Sequence, residues 1–402
     1  MNKRKIFNDP VYGFITLPFD ILFDIIEHPY FQRLRRIKQL GLTHYVYPGA
    51  LHTRFHHALG AMHLMQEAVS VLRSKDIEIT DEEYKSVLIA ILLHDIGHGP
   101  FSHALEHTIL NVHHEQLSLW YMEVLNEEFE GKLEMAIKIF KGSYTKNFLH
   151  QLVSSQLDMD RMDYLNRDSF FTGVAEGVIG YDRIIKMLSV KNDELVVEEK
   201  GIYSIEKFLI SRRLMYWQVY LHKAVLSAEQ MLIKVLERAQ ELARKGEVTS
   251  RNEILTYFLI NDISEEKFKD NKAKYLEKFS QLDDVDIVAA LKEFQNKEDF
   301  LLKFLSKSIL YRQLFKVHLE TNAPQSDFLN SIRQKIVHQQ NISESQATNL
   351  ILSGIESNQA YSADKNEIKI LMKDGLVIPI SSLLKNFVES GVIIKHFLCY
   401  PK

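Results

Sequence analysis

The stretch Leu93-His94-Asp95-Ile96-Gly97-His98-Gly99-Pro100-Phe101-Ser102-His103 closes the apolar run Val87–Leu93. It reads as the end of a buried helix, punctuated by Gly97, Gly99 and Pro100. Neighbouring helical residues point about 100° apart, so His94 and Asp95 reach a common ion only if it sits just off the helix. An isolated His-Asp pair at a helix end ordinarily does no more than hydrogen-bond there. Set among apolar residues, however, this pair needs partners, because unpaired buried charge is costly. Mixed N/O donors suit Zn, Mn, Fe, Co or Ni rather than a Mg or Ca cage. Two ligands are too few. The remainder must come from elsewhere, and the sequence offers Arg54-Phe55-His56-His57 upstream and Asp158-Met159-Asp160-Arg161-Met162-Asp163-Tyr164 downstream.

Histidine usage supports this. Eleven of the 17 histidines fall between His44 and His114, where even spreading would place about three. The remaining composition is ordinary for a globular protein: 46% hydrophobic and 25% charged over 402 residues. A net charge of −4 supplies no basic field for nucleic acid. Cys399 is the single cysteine, which excludes an internal disulfide and a Cys-rich zinc site. No apolar run is long enough to span a membrane, and the basic start (Lys3, Arg4, Lys5) meets Asn8-Asp9-Pro10 rather than a signal sequence. A cytoplasmic protein is expected.

The spacing predicts a mostly α fold. Helices are expected over 19–26, 31–42, 55–74, 82–96, 101–110, 114–126, 146–154, 160–170 and 204–245, with a hairpin near Leu195-Val196-Val197. Beyond about 245 Lys and Glu become dense. Helices over 283–308 and 326–339 are expected there, with β-like runs at Ile368–Met372, Leu376–Ile380 and Val392–Leu398. This gives a helical domain over 1–245 that carries the chemistry, and a smaller α+β C-terminal region over 246–402 that contributes to an oligomer interface.

The order Arg-x-x-His, His-Asp, a lone histidine in a polar run, then Asp-Arg-x-x-Tyr-x-x-x-Asp resembles the HD-superfamily metal-dependent phosphohydrolases. The runs Asn8–Gly13, Phe31–Arg35, Ile37–Gly41, Tyr47–Ala50 and Leu93–His103 are similar to its deoxynucleoside triphosphate triphosphohydrolase branch. That branch includes the catalytic domain of the vertebrate SAM-and-HD-domain enzyme and bacterial relatives. The likeness covers roughly residues 5–225 and returns at Tyr311–Lys316, and no SAM domain is expected ahead of it.

The resemblance implies an HD-domain helical core with His57, His94, Asp95 and Asp160 as ligands of one divalent transition metal, with Mg²⁺ a possible companion of the nucleotide. Arg54 matches a phosphate-binding arginine. His98, His103 and His114 match histidines around the scissile phosphate, with His114 the better candidate for acid or base. Arg161 stands where the best-known member has lysine. Tyr164 and Asp168 match contacts to the sugar 3′ hydroxyl, Gln39 and Leu40 further sugar and base contacts, and Arg212 a γ-phosphate contact. Asp160, Tyr164 and Asp168 fall at i, i+4 and i+8, on one helical face. Phe208, Tyr216, Trp217 and Tyr220 read as core, with Tyr220 an option for closing the pocket. His44, His52 and His63 read as structural.

In this branch water attacks the α-phosphorus of a dNTP, releasing a deoxynucleoside and inorganic triphosphate. The resemblance further implies a nucleotide-activated homo-oligomer, dimer or tetramer. Lys5, Glu27, Gln32, Arg35, Arg312 and Lys316 fall where relatives bind an activating nucleotide, with Glu27 replacing an aspartate. Arg183, His222 and Lys223 fall near a second effector site, where Glu199 replaces an expected basic residue. Solvated surface charge is the alternative reading of both sets. Two rival functions stand beside this one. The first is an HD phosphatase or phosphodiesterase acting on nucleoside monophosphates or another phosphate ester. The second is an inert nucleotide-sensing or nucleic-acid-binding scaffold, which the complete ligand set disfavours.

Overall fold

The computed structural model describes residues 5–358, 367–383 and 393–402, without the side chains of residues 103, 104, 107 and 358. Helices dominate, as the periodicity predicts, and one continuous hydrophobic cluster joins elements from both ends of the chain.

The helix Asp81–Leu93 is the spine of the site. Thr80 starts it with a capping box: its Oγ1 accepts from Glu83 N at 3.2 Å while Glu83 Oε2 accepts from Thr80 N at 2.8 Å. Val87–Leu93 are all fully buried, because this helix packs against Arg54–Ser74 on one side and Glu134–Phe140 and Asn147–Val153 on others. Its C-terminal end therefore delivers His94 and Asp95 into the protein interior. The following loop has no slack. A Cβ on Gly97 would overlap His114 O and Ser118 N, and Gly97 N donates to Ser118 Oγ at 2.9 Å. The guanidinium of fully buried Arg33 donates to Ile96 O and His98 O at 3.1 and 2.8 Å, so the loop's buried carbonyls are satisfied from the side.

The third segment is the helix Met159–Thr172. Asp158 caps it by accepting from Arg161 N at 2.7 Å, and Gly173 ends it at φ 74°.

Several elements depart from the spacing. The expected 204–245 helix is Ile202–Met215, a π turn over Tyr216–Tyr220, and Lys223–Arg244. His222 Nδ1 starts the last piece by accepting from Ala224 N. The 283–308 segment is likewise two helices, Asp284–Phe294 and Phe300–Leu310, the second capped by Asp299. Residues 31–42 form short turns and a bridge between Lys38 and Thr53 rather than a helix, and 101–110 is two short turns. The Lys/Glu-rich stretch holds three helices over 253–279.

The hairpin near Leu195 is Leu188–Lys191 with Glu194–Glu198, turned by Asn192 and Asp193 at φ 52° and 61°. Its second strand pairs in parallel with Lys369–Leu371, which pairs with Val377–Pro379, so one sheet draws on both sides of residue 245. A second sheet has Ile393–Tyr400 between Lys316–Glu320 and Leu352–Asn358, and the latter two strands are absent from the periodicity reading. Ile6–Asp9 and Gly13–Thr16 form a further hairpin at the N-terminal end.

Candidate metal centre and adjoining cavity

Three helices bring four carboxylate and imidazole groups together. His57 comes from the first turn of Arg54–Ser74, His94 and Asp95 from the end of Asp81–Leu93, and Asp160 from the first turn of Met159–Thr172. Donor atoms of His57, His94 and Asp160 lie within 4.8 Å of one another. Asp160 Oδ1 is 3.1 Å from His57 Nε2 and 3.5 Å from His94 Nε2, and Asp95 Oδ1 is 3.4 Å from His94 Nε2.

The protonation of the two imidazoles identifies what belongs between them. His57 Nδ1 lies 2.7 Å from Asp163 Oδ2, and His94 Nδ1 lies 2.6 Å from Ile91 O. Both acceptors call for a proton on Nδ1, which leaves the two Nε2 atoms, 3.3 Å apart, as the nitrogens that face the site. Two imidazole nitrogens and two carboxylates converging in a buried space call for a cation, and this donor set fits a divalent transition metal. Without a metal a proton takes the cation's place: burial would lower the His57 pKa, but Asp160 and Asp163 outweigh it and push it up to about 10. Burial would raise the Asp160 pKa, and the two histidines instead hold it far below the carboxylate range.

A second layer holds this set. Arg167 donates to Asp163 at 3.0 Å and to Asp9 Oδ2 at 2.7 Å, forming a buried chain from the N-terminal hairpin to His57. Sequence reading did not single out Asp9, Asp163 or Arg167; the signal was Asp163 within the quoted run and Arg167 one turn later. Arg54 pairs with Asp95 Oδ2, and its Nε donates to Ser102 Oγ at 2.8 Å.

His98 and His114 stack with ring centroids 4.0 Å apart, and His98 Nε2 is 3.4 Å from Asp95 Oδ1. His98, His114 and Asp95 make a second group of converging donors. Burial, then Arg54, hold the His98 pKa well below its ordinary value, so its ring is neutral. Glu106 accepts from His114 N at 2.9 Å and meets its Nδ1 at 2.7 Å, a positioning partner the sequence did not reveal. The side chain of His103 lies outside the described residues.

Beside Arg54 opens a cavity of about 630 Å³, within the range of about 300–1,000 Å³ typical of small-molecule sites. Gln39, Leu40, Tyr164, Asp168, Arg212 and Tyr220 all line it. Asp168 is fixed twice, by Tyr220 OH donating to Oδ2 at 2.7 Å and by His52 Nε2 at 2.7 Å from Oδ1. His52, expected to be structural, thus supports a cavity residue, and Tyr216 lines the cavity rather than the core. Arg212 donates to Gln156 at 2.9 Å. Arg161 lies outside the cavity wall, donating to Asp158 at 2.9 Å and standing 3.9 Å from Asp160.

Of the expected effector residues, Gln32 donates to Ile26 O, Arg35 donates to Gln32 Oε1 and packs on the Phe55 ring, and Lys5 sits over the Phe23 ring. Glu27 is exposed. Arg183 donates to Lys200 O, Arg312 to Tyr45 O, and Lys223 and Lys316 are exposed. His222 caps its helix, and Glu199 accepts from Lys373 N. No described helix is long and apolar enough to cross a membrane.

Comparison with known proteins gives the same picture. Residues 54–168 match the HD domain family and 179–257 the HD associated region. A Bacillus subtilis protein of uncharacterised function, YwfO, is 35% identical over 323 residues, 79% of this chain and 72% of that one. A Dictyostelium discoideum homologue of the deoxynucleoside triphosphate triphosphohydrolase SAMHD1 is 32% identical over 262 residues; the match takes in 60% of this chain and about half of that protein (51%). The crystal structure of a phosphohydrolase from Bacteroides thetaiotaomicron superimposes with a TM-score of 0.94 at 50% identity, covering 99% of this chain and all of the other (100%). The chain belongs to the HD superfamily of metal-dependent phosphohydrolases.

Proposed function

We propose that the chain hydrolyses deoxynucleoside triphosphates to deoxynucleoside and inorganic triphosphate. The observation that carries this reading is the cavity, which joins Arg54 beside the metal ligands to Arg212, Tyr164 and the doubly held Asp168. That wall offers cations for a polyphosphate and an oriented carboxylate for a sugar hydroxyl. The similarity to SAMHD1 proteins supports the same substrate class.

His57, His94, Asp95 and Asp160 would hold the metal, which when bound supplies a nucleophilic water at neutral pH and polarises a phosphoryl oxygen. Arg54, fixed by Asp95 and Ser102, meets the phosphates, and Arg212 meets the distal ones. Arg161 offsets charge from the Asp158 and Asp160 side. Water attacks the α-phosphorus, the P–O5′ bond breaks, and His114, held by Glu106 and stacked on His98, gives the leaving oxygen its proton. Tyr164 and Asp168 hold the 3′ hydroxyl, with Gln39 and Leu40 along the sugar and base. Tyr220 acts by fixing Asp168. Assembly into a homo-oligomer, and nucleotide activation through the groups around Lys5, Gln32 and Arg35 and around Arg183 and His222, belong to the same proposal, as does a cytoplasmic location.

The test is ion-exchange product analysis of each dNTP incubated with Mn²⁺ or Mg²⁺, alone and with GTP or dGTP. Deoxynucleoside plus triphosphate is expected, abolished by the double variant His94→Ala, Asp95→Ala. No turnover of any dNTP, with phosphate released from a nucleoside monophosphate instead, would replace this reading with the phosphatase one.

A further inference from the structure

Beside Arg54 the cavity wall includes Gln39, Leu40, Phe101 and Ser102. The backbone that carries them is held from behind by the C-terminal region. Asp284, the first residue of the helix Asp284–Phe294, is buried there. Its Oδ1 accepts from Phe101 N at 2.7 Å and its Oδ2 from Lys38 N at 3.0 Å. One carboxylate thus ties two separate segments of the wall together. Phe101 and Ser102 lie at φ 52° and 50°, a left-handed region that consecutive residues with a Cβ rarely share. Inside that turn Ser102 N donates to Gly99 O at 3.1 Å, while Phe101 N turns outward to Asp284.

The two segments close on Arg54. Ser102 Oγ accepts from Arg54 Nε at 2.8 Å and lies 3.5 Å from Lys38 O. Arg54 N donates to Ile37 O at 2.9 Å, next to the bridge between Lys38 and Thr53. The guanidinium is therefore aimed by a hydroxyl that sits on backbone Asp284 ties down. Other contacts already dock this part of the C-terminal region. Arg33 Nη1 donates to Leu282 O at 3.2 Å, Arg36 pairs with Asp283, and the Phe279 ring lies 2.7 Å from where a Cβ on Gly99 would sit. Burial pushes the Asp284 pKa up, against its two N–H donors and the Lys38 ammonium 4.0 Å away. A carboxyl buried at that cost adds little stability of its own, and both of its oxygens go to the wall of the cavity.

We propose that Asp284 is a positioning residue for phosphate binding, fixing Arg54 through the amides of Phe101 and Lys38 and the hydroxyl of Ser102. The inference rests on Arg54 meeting a phosphate, as in the function proposed above, and holds for a triphosphate or a monophosphate alike. It gives the C-terminal region a part in the reaction: a residue beyond 245 sets the pose of an arginine beside the metal ligands. Asparagine at this position offers one acceptor and one donor in place of two acceptors. In Asp284→Asn one of the two amides therefore faces another N–H, and the turn that aims Ser102 is released.

The experiment is steady-state kinetics of the Mn²⁺-loaded chain on dNTPs and nucleoside monophosphates, followed on whichever is hydrolysed fastest. Asp284→Asn should lower kcat/KM by about tenfold to a hundredfold, the effect of a small displacement of a binding group. Ser102→Ala should lower it comparably. The double variant should lose no more than the larger single, because the two residues act in series on Arg54. Asp283→Ala is the structural control: its carboxylate accepts from Val285 N at 2.9 Å and pairs with Arg36, capping the same helix. That variant should lower Tm while kcat/KM stays within about twofold of wild type. Metal content should hold in all of them. Binding of inorganic triphosphate, read by calorimetry, should give the same ranking without turnover. Full activity in Asp284→Asn, losses that add in the double variant, or an equal loss in Asp283→Ala overturns the proposal. So does a wild-type chain that neither binds triphosphate nor hydrolyses any of these nucleotides. Phosphate release from monophosphates alone, with the same ranking of variants, would remove the proposed function and leave Asp284 its role. Triphosphate release from dNTPs with Asp284→Asn unimpaired would do the reverse.

Discussion

His57 and His94 present their Nε2 atoms to each other at 3.3 Å, each with its Nδ1 committed to an acceptor on the far side of the ring. Without a metal, Asp160 and Asp163 hold a proton on His57, so metal binding displaces that proton and is linked to folding. A metal at one hundred times its Kd should stabilise the chain by about 2.7 kcal/mol. Chelation followed by thermal denaturation checks this, and His57→Ala should abolish both the shift and the bound metal measured by mass spectrometry. One ion per chain is expected at His57, His94, Asp95 and Asp160. Two would place a second at Asp95, His98 and His114.

The buried chain Asp9–Arg167–Asp163–His57 can be broken from outside the ligand set. A methyl group at Gly60 would occupy the space of Arg167 Nη2 and Asp163 Oδ1. Gly60→Ala should therefore destabilise the fold by about 1–3 kcal/mol and weaken metal binding about 10–100-fold by disturbing the partner of His57. Gly180→Ala is the control, since nothing lies within 4 Å of its added Cβ. Urea unfolding and metal competition read the two effects.

Tyr220→Phe removes the hydroxyl that donates to Asp168 while His52 keeps hold of the other oxygen. A net hydrogen bond to a charged group contributes about 1.5–3 kcal/mol. Nucleotide KM should rise about tenfold with metal content unchanged. A variant indistinguishable from wild type in steady-state kinetics would mean that Asp168 does not contact the substrate.

Glu229 gives a pH signature in the fold itself. Its folded pKa, about 8, lies above the ordinary 4.5. The folded chain thus holds a proton that the unfolded chain has lost, and the stability this supplies, complete below pH about 4.5, fades as pH rises through about 8. Glu356, also raised by burial, adds in the same direction. Glu229→Gln should accordingly gain Tm relative to wild type as pH goes from 5 to 9, measured by thermal scans in matched buffers.

The candidate metal ligands were legible through the family's motif order, because each sits in a short run of the sequence. His57 and Arg54 share a turn, as do His94 and Asp95, and Asp160, Tyr164 and Asp168 share a face. The break of 204–245 at Tyr216–Tyr220 was not legible, because neither Gly nor Pro marks it and the π turn is set by packing. The strands Lys316–Glu320 and Leu352–Asn358 escaped for a similar reason: their hydrogen bonds go to Ile393–Tyr400, far along the chain.

The sequence by itself determined the helical class and, through the order of its motifs, the candidate metal ligands, since these depend on residue type and on runs of a few residues. Only the tertiary structure decided which groups support them. Asp9 reaches Arg167 across 158 residues, His52 reaches Asp168 across 116, and Glu356 enters a cavity otherwise lined by residues between 39 and 233. No local pattern encodes such pairings, because a buried charge is satisfied by whatever partner the packed chain brings within hydrogen-bond reach, wherever that partner lies in the sequence.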